Sequence, residues 1–531
     1  MTMKRSVHVA FLASIIIASF LFSGCPNPVQ SNYSVTYDGN GNTGGSVPTD
    51  SSQYTEGATI TVAGNTGNLA KTGFSFVGWN TKSDGSGTDY AANATFAIGA
   101  ADVTLYAKWS TLPTYTVVYD ANGADSGSIP TDSNHYLEGS TVAVAGNTGN
   151  LAKTGYRLVG WNTKSDGSGT DYAANVTFTI GASNVALYAK WSASITSISA
   201  GLSYTMILKA DGTLWATGHN NLGQFGDGTT ADKTTLSHVM DNVQAVFAGF
   251  VNTMILMDDA TLWATGSNAY GQLGNGTTTS ASSAFQIMSN VKNVALGKYH
   301  TLIIKNDDTL WAVGRNDSGQ LGDNTTTDRS TPVQIMTDVK AAAAGDTHTI
   351  ILKNNGSVWA TGANAYGEFG NGTTTQSLSP IQVMASGVKA IAAADSISYF
   401  LKTDNTLWAA GVNDYGEFGD GTTTGNSTAV QIKSDVKAVA SGNSYTMLIT
   451  SDNRLWGAGI NDYGQLGNGT TTASSVFIQV LTDVQTVSAG RYHAMILKTD
   501  GTLWGTGDDY YGQLGDGTTE TEAHTPLQIS Y

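Results

Sequence analysis

A short glycine-containing stretch recurs seven times between residues 200 and 531, and this repetition constrains the fold more than any other feature of the chain. A representative copy, residues 316–323, reads Asn-Asp-Ser-Gly-Gln-Leu-Gly-Asp. Each copy follows a tryptophan, and successive tryptophans are 48, 48, 48, 49, 48 and 48 residues apart; they are Trp215, Trp263, Trp311, Trp359, Trp408, Trp456 and Trp504. A fixed period of this length indicates a repeat architecture in which no unit buries its apolar face alone.

Each repeat contains four short segments with strand character. In the third repeat these segments are residues 291–297, 301–305, 309–313 and 332–335. Asp-Gly turns such as Asp211-Gly212 join the second segment to the third, which is a strong signal for a tight hairpin. Four antiparallel strands per unit, repeated seven times, predict an all-β chain with a seven-bladed β-propeller over residues 195–531.

The recurring tryptophans have two interpretations. In Leu214-Trp215-Ala216-Thr217-Gly218 the large residues would face the neighbouring blade, while alanine and glycine would allow crowding near the axis. A row of tryptophans could also form a sugar-binding platform. Because the tryptophan occupies the same position in every blade, we favour packing.

The repeats resemble the regulator of chromosome condensation (RCC1) repeat. The resemblance rests on an Ala-Gly-x-x-His element, as at residues 344–348, and on Tyr-Gly-Gln-Leu-Gly at residues 270–274, 463–467 and 511–515. In the fifth repeat Ala394 replaces the glycine and Ile397 replaces the histidine. The resemblance implies a seven-bladed propeller, commonly closed by pairing the two ends of the chain. The founding member is a nucleotide exchange factor for a small GTPase and binds chromatin; we expect an exported chain to meet neither partner.

Two copies of a different unit precede the propeller, at residues 33–110 and 115–192. Residues 79–93 are repeated without change at 161–175. The units resemble the internalin B-type (Listeria–Bacteroides) repeats through Gly-Phe-Ser-Phe-Val-Gly-Trp at 73–79 and Thr-Leu-Tyr-Ala-Lys-Trp at 104–109, with matching segments at 155–161 and 186–191. This resemblance implies small, mostly β, ubiquitin-like (β-grasp) modules of the kind found in bacterial surface proteins.

Oxygen-bearing residues alternate in two stretches of the first unit, residues 38–42 and 84–89, so calcium ligation is an alternative there. The EF-hand template needs glycine at its sixth position and glutamate at its twelfth. Counted from Asp38, those positions hold Thr43 and Thr49. The template fails, and we favour tight turns.

The N-terminus predicts export. Residues 1–24 contain the charged start Lys4-Arg5, an apolar run from 9 to 22 and then Ser23-Gly24 before Cys25. This order resembles a bacterial lipoprotein signal, which implies lipidation of Cys25 and a tether over residues 25–32. The alternative is an ordinary secretory signal. Cys25 is the only cysteine in the chain, which excludes a disulfide within the chain and a site of several cysteine ligands.

Charge and histidine spacing limit the function. The formal net charge is −16, with no basic cluster beyond the first residues, which argues against nucleic-acid binding through phosphates. No pair of histidines has a metal-type spacing, and no nucleophile–base or carboxylate pair can be placed. His300, His348 and His493 share one repeat position, filled elsewhere by Tyr, Asn or Ile, and we interpret them as structural turn residues. We expect no enzyme activity, no cofactor and no metal.

The candidate site is the face on which the first-to-second and third-to-fourth connections of every blade emerge together. Packing leaves some positions there free to specialise, and tyrosine and arginine are favoured interface anchors. The candidates are Tyr299, Arg491, Tyr492, Phe250, Arg315 and His219. A second set, Tyr366, Tyr415 and Tyr463, recurs at one repeat position, and we interpret these residues as covering neighbouring loops.

We therefore predict a lipid-anchored protein of the cell envelope, on its outer surface, whose propeller binds a macromolecule: a protein or, as a less favoured choice, a glycan. One alternative is a structural envelope protein without a specific ligand. Another is a protein inhibitor resembling the secreted β-lactamase-inhibitory propeller. The sequence does not name the partner.

Overall fold

The computed structural model describes residues 30–519 and 521–531, all of which lie in strands, turns or loops. None of these residues forms a helix long and apolar enough to cross a membrane. The predicted signal and Cys25 lie outside the described residues. Two compact units are distinguished, and the second comprises residues 121–130, 146–173 and 188–531. The candidate site lies in this second unit.

The first module is built around a mixed sheet. Its strands are β1 (Asn32–Tyr33), β2 (Val35–Asp38), β3 (Tyr54–Thr55), β4 (Thr59–Thr61), β5 (Phe74–Asn80), β6 (Asp89–Tyr90), β7 (Thr95–Ala97) and β8 (Val103–Thr111). The sheet order is β2-β8-β5-β6, with β2 and β8 parallel, and the pairs β1-β3 and β4-β7 form two smaller sheets. Trp79 is fully buried at its centre, and its Nε1 donates to the carbonyl oxygen of Ala63 at 2.8 Å.

The second module repeats this arrangement. Its strands are β9 (Thr114–Tyr115), β10 (Val117–Asp120), β11 (Tyr136–Leu137), β12 (Thr141–Ala143), β13 (Tyr156–Asn162), β14 (Asp171–Tyr172), β15 (Thr177–Thr179) and β16 (Val185–Ala193). The turns considered as calcium loops are local: Asp38 Oδ1 accepts the backbone N–H of Asn40 at 2.7 Å, and Asp84 Oδ1 accepts that of Ser86 at 2.9 Å. As expected for mostly β modules, the described residues of both form strands, turns and loops without a helix.

The described part of the propeller contains seven four-stranded sheets. The first consists of β17 (Ile195–Ala200), β18 (Tyr204–Lys209), β19 (Leu214–Gly218) and β20 (Lys233–Met240); the second of β21 (Val243–Ala248), β22 (Asn252–Met257), β23 (Thr261–Gly266) and β24 (Ala281–Ser289); the third of β25 (Val291–Leu296), β26 (His300–Lys305), β27 (Leu310–Gly314) and β28 (Arg329–Met336). The fourth consists of β29 (Val339–Ala344), β30 (His348–Lys353), β31 (Val358–Gly362) and β32 (Ser377–Met384); the fifth of β33 (Val388–Ala394), β34 (Ile397–Lys402), β35 (Leu407–Gly411) and β36 (Asn426–Lys433). The sixth consists of β37 (Val436–Ser441), β38 (Tyr445–Thr450), β39 (Leu455–Gly459) and β40 (Ser474–Leu481), and the seventh of β41 (Val484–Ala489), β42 (His493–Lys498), β43 (Leu503–Asp508) and β44 (Glu522–Ile529).

Every sheet is antiparallel with its strands in chain order, which confirms the predicted all-β propeller. The hairpin between the second and third strands reverses at a residue of positive φ, such as Gly212 (φ 78°) or Asn405 (φ 67°), which suits glycine and asparagine. The fourth strand is longer than predicted. In the third sheet it covers Arg329–Met336 rather than 332–335, because register shifts at two points let it follow the third strand further.

The core lies between adjacent blades. One cluster contains Ile350, Leu352 and Phe369 of the fourth blade together with Phe400 of the fifth, and Trp408 packs against it. Leu407, one residue before this tryptophan, is fully buried, whereas Trp408 itself is only half-buried. Packing is therefore the role of the tryptophan row, but the fully buried residue is its aliphatic neighbour.

The ring closes differently from the expectation based on the family. The first and last sheets of the propeller are each complete within their own repeat, so the first and last strands of the propeller lie in different sheets. Closure uses hydrogen bonds between the first and seventh blades instead: the backbone N–H of Gly517 donates to the carbonyl oxygen of Thr234 at 2.9 Å, Thr217 Oγ1 to that of Gly512 at 2.7 Å, and Thr205 Oγ1 to that of Gln513 at 2.8 Å. Thr253 makes the same bond to Gln224 between the first two blades. Because each repeat supplies four consecutive strands, closure needs no exchange of strands.

Candidate functional site

The two kinds of connection named in the sequence prediction do lie together. The backbone N–H of Arg315, in a third-to-fourth loop, donates to the carbonyl oxygen of Tyr299, in a first-to-second turn, at 3.0 Å. The N–H of Asp508 donates likewise to Tyr492 at 2.9 Å. We call this surface the loop face, and we call the surface formed by the second-to-third hairpins the hairpin face.

At the centre of the loop face, one residue from each blade surrounds an axial pocket of about 140 Å³. These residues form the axial ring: Leu202, Phe250, Lys298, Asp346, Asp395, Asn443 and Arg491. Backbone bonds join neighbouring turns, as when the N–H of Asp346 donates to the carbonyl oxygen of Asp395 at 2.8 Å. Charge is distributed unevenly around the ring: its two acids lie in the fourth and fifth blades, and its two bases lie in the third and seventh.

A glycine precedes the ring residue in six of the seven blades, because a larger residue would meet neighbouring atoms. A Cβ on Gly297 would lie 2.4 Å from Cε1 of His300 and 2.6 Å from the carbonyl oxygen of Gly345, which is closer than carbon atoms tolerate. Ala394 replaces this glycine in the fifth blade, where Ile397 replaces the histidine. Replacement of the imidazole by Ile397 removes one of these two contacts, the one with the histidine ring, in the blade that carries Ala394.

The three repeat-position histidines join blades. Nε2 of His300 lies 3.1 Å from Oγ1 of Thr349, and Nε2 of His493 lies 3.0 Å from Oγ1 of Thr205, in each case in the next blade around the ring. Burial lowers the pKa of His300 to about 4 and that of His348 and His493 to about 3. Each is the first residue of a second strand rather than the turn residue predicted. These neutral histidines are structural contacts between blades.

An arginine–aromatic cluster covers one side of the loop face. The guanidinium carbon of Arg491 lies 5.2 Å from the ring centre of Phe250 and 4.8 Å from that of Tyr492. Phe250 contacts Tyr299 edge to face at 5.8 Å. The guanidinium carbon of Arg315 lies 5.8 Å from the Tyr299 ring. Five of the six predicted site residues therefore form one continuous chain of contacts.

The sixth candidate, His219, has different contacts. Its ring lies 4.0 Å from that of Tyr511, and Nδ1 lies 3.0 Å from Oδ2 of Asp232. Two residues of this surface were not predicted: Tyr270, whose ring lies 4.9 Å from that of Tyr299, and Lys298 of the axial ring, which pairs with Asp346 at 2.7 Å. Lys298 directly precedes the candidate Tyr299, and Tyr270 shares its repeat position with Tyr463, which were the available signals.

The three tyrosines interpreted as loop coverings behave differently from one another. Tyr463 stacks on Tyr492 at 4.8 Å and so extends the arginine–aromatic cluster. Tyr366 and Tyr415 are 61% and 49% exposed, so they cover little of the neighbouring loops. These two stand beside the acidic part of the face.

That acidic part lies across the fourth and fifth blades. Glu368 and Glu417 are buried, and burial raises the pKa of Glu368 and raises that of Glu417 to about 7. Burial and the nearby Asp346 raise the pKa of Asp395 to about 6. Within the residues described, no group of three or more His, Cys, Asp or Glu side chains is placed to hold a metal ion. The face therefore combines a basic, aromatic side with an acidic one.

Comparison with known proteins found matches for both the two small modules and the propeller. The class defined by the fold is that of seven-bladed propellers preceded by small β modules. An RCC1-like domain model matches residues 284–530, and the RCC1 repeat matches residues 195–224 and 259–304. The Listeria–Bacteroides repeat domain matches residues 33–108 and 115–190. The chain therefore carries an RCC1-like repeat domain preceded by two Listeria–Bacteroides repeats.

Solved structures share the propeller fold. The crystal structure of Kap60 bound to yeast RCC1 (Prp20) matches with a TM-score of 0.54 and 17% identity, over 64% of this chain and 85% of that chain. Human WBSCR16 matches with a TM-score of 0.52 and 19% identity, over 64% and 94%. Identities this low establish the fold alone.

Sequence relatives are bacterial. A protein of Evansella cellulosilytica named as a Gly-rich membrane protein is 39% identical over 171 residues, which are 32% of this chain and 19% of the relative. A second membrane protein of that organism is 39% identical over 121 residues, which are 23% and 17%. The match thus spans less than a fifth of the length of either relative.

Proposed function

We propose that this protein is a bacterial cell-envelope protein that binds another protein through the loop face of its propeller. The observation that carries the proposal is the arginine–aromatic cluster, in which Arg491, Phe250, Tyr299 and Arg315 make continuous contacts across separate blades. Packing within a blade does not require these residue types, because other blades have different residues at the same repeat positions. Residues that differ between blades at positions not fixed by packing are best explained by recognition of a partner protein.

The chemistry of the cluster suits a protein partner. Tyrosine and arginine dominate the energetics of protein interfaces, because they bury a large area and keep a polar group for pairing. Arg491 has no carboxylate within 4.0 Å in the part of the chain that the structure describes. Its guanidinium is held between two aromatic rings, so little conformational entropy is lost when a partner's acidic group approaches.

Envelope attachment is the second part of the proposal. The relatives in Evansella cellulosilytica are named membrane proteins, and Listeria–Bacteroides repeats precede the propeller. Together with the lipoprotein-type sequence before Cys25, these observations favour a lipid anchor at that cysteine and display on the outer surface.

The binding test uses the Tyr299→Ala/Arg491→Ala/Tyr492→Ala triple variant in capture experiments against envelope and host-surface fractions. All three side chains are half-buried at the surface, so we expect their truncation to leave thermal stability nearly unchanged. Capture of the proteins retained by the native chain should weaken at least tenfold, or about 1.4 kcal/mol. A matched control on the hairpin face is Lys340→Ala/Arg454→Ala, which should capture the same proteins as the native chain. Undiminished capture by the triple variant would contradict the proposal.

The anchoring test is Cys25→Ala. Native protein should partition into the detergent phase with membrane lipoproteins, and the variant should appear in the aqueous phase. A mass measurement of the native N-terminus provides the independent check. If the native protein carries no lipid and partitions into the aqueous phase as the variant does, the lipid anchor is rejected.

A further inference from the structure

One position of the loop face departs from the repeat in two adjacent blades. The fifth residue of the recurring stretch is glutamine in five repeats and glutamate in the fourth and fifth, at Glu368 and Glu417. To hold the loop, the side chain at this position must supply one oxygen that accepts a backbone N–H of the same loop. Gln465 Oε1 accepts the backbone N–H of Tyr463 at 3.0 Å, and Glu417 Oε2 accepts that of Tyr415 at 3.1 Å. A neutral amide performs this task, so the carboxylate is not required by the loop.

Among the described residues, Oε1 of the fully buried Glu417 side chain has no hydrogen-bond partner. Nε2 of Gln272 and Nε2 of Gln465 at this repeat position also lack a hydrogen-bond partner in the part of the chain that the structure describes. Glu417 differs from them because its unpartnered atom is a carboxyl oxygen, which accepts hydrogen bonds and can carry negative charge. In the neighbouring blade, by contrast, neither carboxyl oxygen of Glu368 is a buried atom without a hydrogen-bond partner in the described residues. A buried carboxylate oxygen without a donor is energetically unfavourable, so it indicates a site that is complete only when a donor is bound.

Glu417 lines a pocket of about 190 Å³ that opens on the loop face. The other lining residues are Tyr366, Asp395, Ser396, Ile397, Val412, Asp414 and Ser444. Three of the lining side chains are carboxylates, and the exposed ring of Tyr366 stands among them. Lys298, the basic residue nearest to this group in the axial ring, is already paired with Asp346 at 2.7 Å.

We propose that this pocket receives a single basic side chain, a lysine ammonium or an arginine guanidinium, from the protein bound by the loop face. The cation would donate to Glu417 Oε1, would be attracted by Asp395 and Asp414, and would contact the face of Tyr366. The inference rests on the proposed binding function and specifies its chemistry: the partner presents acidic groups to Arg491 and a basic group to Glu417. A metal ion fits less well, because the described carboxylates do not form a metal-type group.

The test measures binding of N-acetyl-lysine methylamide and N-acetyl-arginine methylamide to the full chain by titration calorimetry, with N-acetyl-norleucine methylamide as the neutral comparator. At least one cationic compound should bind saturably, and the neutral compound should not. Glu417→Gln should weaken binding at least tenfold. Glu368→Gln is the matched control and should change the affinity by less than about twofold, because Glu368 does not line the pocket and has no buried oxygen without a partner in the described residues.

Proton release provides a readout that a purely structural role would not change. Part of the Glu417 population is protonated near pH 7, and a docked cation favours the carboxylate, so its proton passes to the buffer. Calorimetry in buffers of different ionisation enthalpy should detect this release for the native chain and not for Glu417→Gln. The charged groups facing Glu417 are Asp395 and Asp414, and an Asp395→Asn variant separates any proton released by Asp395 from that released by Glu417.

Three outcomes would overturn the inference: no saturable binding of either cationic compound, equal binding by native chain and Glu417→Gln, or saturable calcium binding that excludes both compounds. If the Tyr299/Arg491/Tyr492 triple variant still loses partner capture in any of these cases, the proposed function stands and only the basic-side-chain pocket is rejected.

Discussion

On the hairpin face an aspartate precedes the third strand and accepts hydrogen bonds from the threonine two residues later, whereas on the loop face several carboxyl groups are buried. Asp404 Oδ1 accepts the backbone N–H of Thr406 at 3.0 Å and its hydroxyl at 2.7 Å, and these bonds lower the pKa of Asp404. Asp259, Asp307 and Asp500 make the same pair of bonds, with the same lowering of the pKa. On the loop face the buried acids Glu368, Glu417, Asp508 and Asp509 and the half-buried Asp395 have raised pKa values.

The opposite pKa shifts show that the aspartates of the hairpin face stabilise the fold, whereas the buried acids of the loop face destabilise it. A local turn that accepts two hydrogen bonds can be repeated in every blade without affecting its neighbours. A buried carboxylate in place of glutamine or asparagine lowers stability at neutral pH. Locally unfavourable residues that the fold does not need are concentrated where proteins bind ligands. The comparison therefore assigns stability to the hairpin face and specialisation to the loop face.

The largest effect should come from Trp408→Ala at the hairpin end of the fifth blade. The indole packs against the core between the fourth and fifth blades, Nε1 donates to Oγ1 of Thr406 at 2.9 Å, and the ammonium of Lys402 lies 3.5 Å from its ring centre. Truncation should lower the free energy of unfolding by about 3 kcal/mol, because a cavity replaces a large side chain. Denaturant titration measures this loss.

Partner capture by the folded fraction of this variant should be unchanged, because the tryptophan is remote from the loop face. Loss of capture at a temperature where the variant remains folded would break the division between the two faces.

The next effect is a gain in stability from Asp509→Asn on the loop face. Six repeats have asparagine at this position, and Nδ2 of Asn461 donates to the carbonyl oxygens of Thr470 and Thr472 at 2.8 and 3.2 Å. Asp509 is 1% exposed, and burial together with the nearby Asp516 raises its pKa to about 7. Above pH 7, asparagine should stabilise the chain by about 2–3 kcal/mol, because it removes a buried charge and restores a donor.

The raised pKa of Asp509 determines how the stability gained from Asp509→Asn should change with pH. The carboxyl group of Asp509 ionises near pH 4 in the unfolded chain and near pH 7 in the folded chain, so the folded state binds the proton more tightly. The stability contributed by the protonated form is fully present below about pH 4 and is lost as the pH rises through 7. Unfolding measured from pH 4 to 8 should therefore show a growing advantage of the asparagine variant. An advantage that is constant across this range would mean that ionisation of Asp509 is not its cause.

Most of the fold could be predicted because period and alternation determine it. The 48-residue spacing and the four strand segments of the third repeat led to seven four-stranded sheets. Ring closure could not be predicted in this way, because a sheet shared by the two ends of the propeller and hydrogen bonds between two complete sheets leave the same repeat pattern. The partial exposure of the tryptophans was also not predictable, since Leu407 and Trp408 are both apolar and lie on opposite faces of the strand, and the pattern does not show which face is more buried.

The basic half of the candidate site could be predicted, and the acidic half could not. Tyr299 and Arg491 differ visibly from their counterparts in other repeats, so variation alone identified them. Glu417 differs from glutamine by one atom type, and its significance depends on an unpartnered buried oxygen that only the three-dimensional structure reveals. His219 was selected by the same variation, but no contact connects it to the arginine–aromatic cluster in the described residues, since its partners are Tyr511 and Asp232.

The smallest effect should come from Asp500→Asn on the hairpin face, the same chemical change as Asp509→Asn in the same blade. The amide oxygen can still accept the N–H and hydroxyl of Thr502, as Asn355 Oδ1 accepts the N–H of Ser357 at 3.0 Å in the fourth blade. Stability at pH 7 should change by less than about 0.5 kcal/mol, because Asp500 is exposed and solvent screens its charge. The hydrogen bonds to Thr502 lower the pKa of Asp500, so any contribution of its charge is present at neutral pH and is lost as the pH falls below about 4. Both substitutions remove one negative charge from a chain of net charge −16. An equal gain from both would therefore attribute stabilisation to reduced overall repulsion, whereas a gain at Asp509 alone attributes it to the buried environment of the loop face.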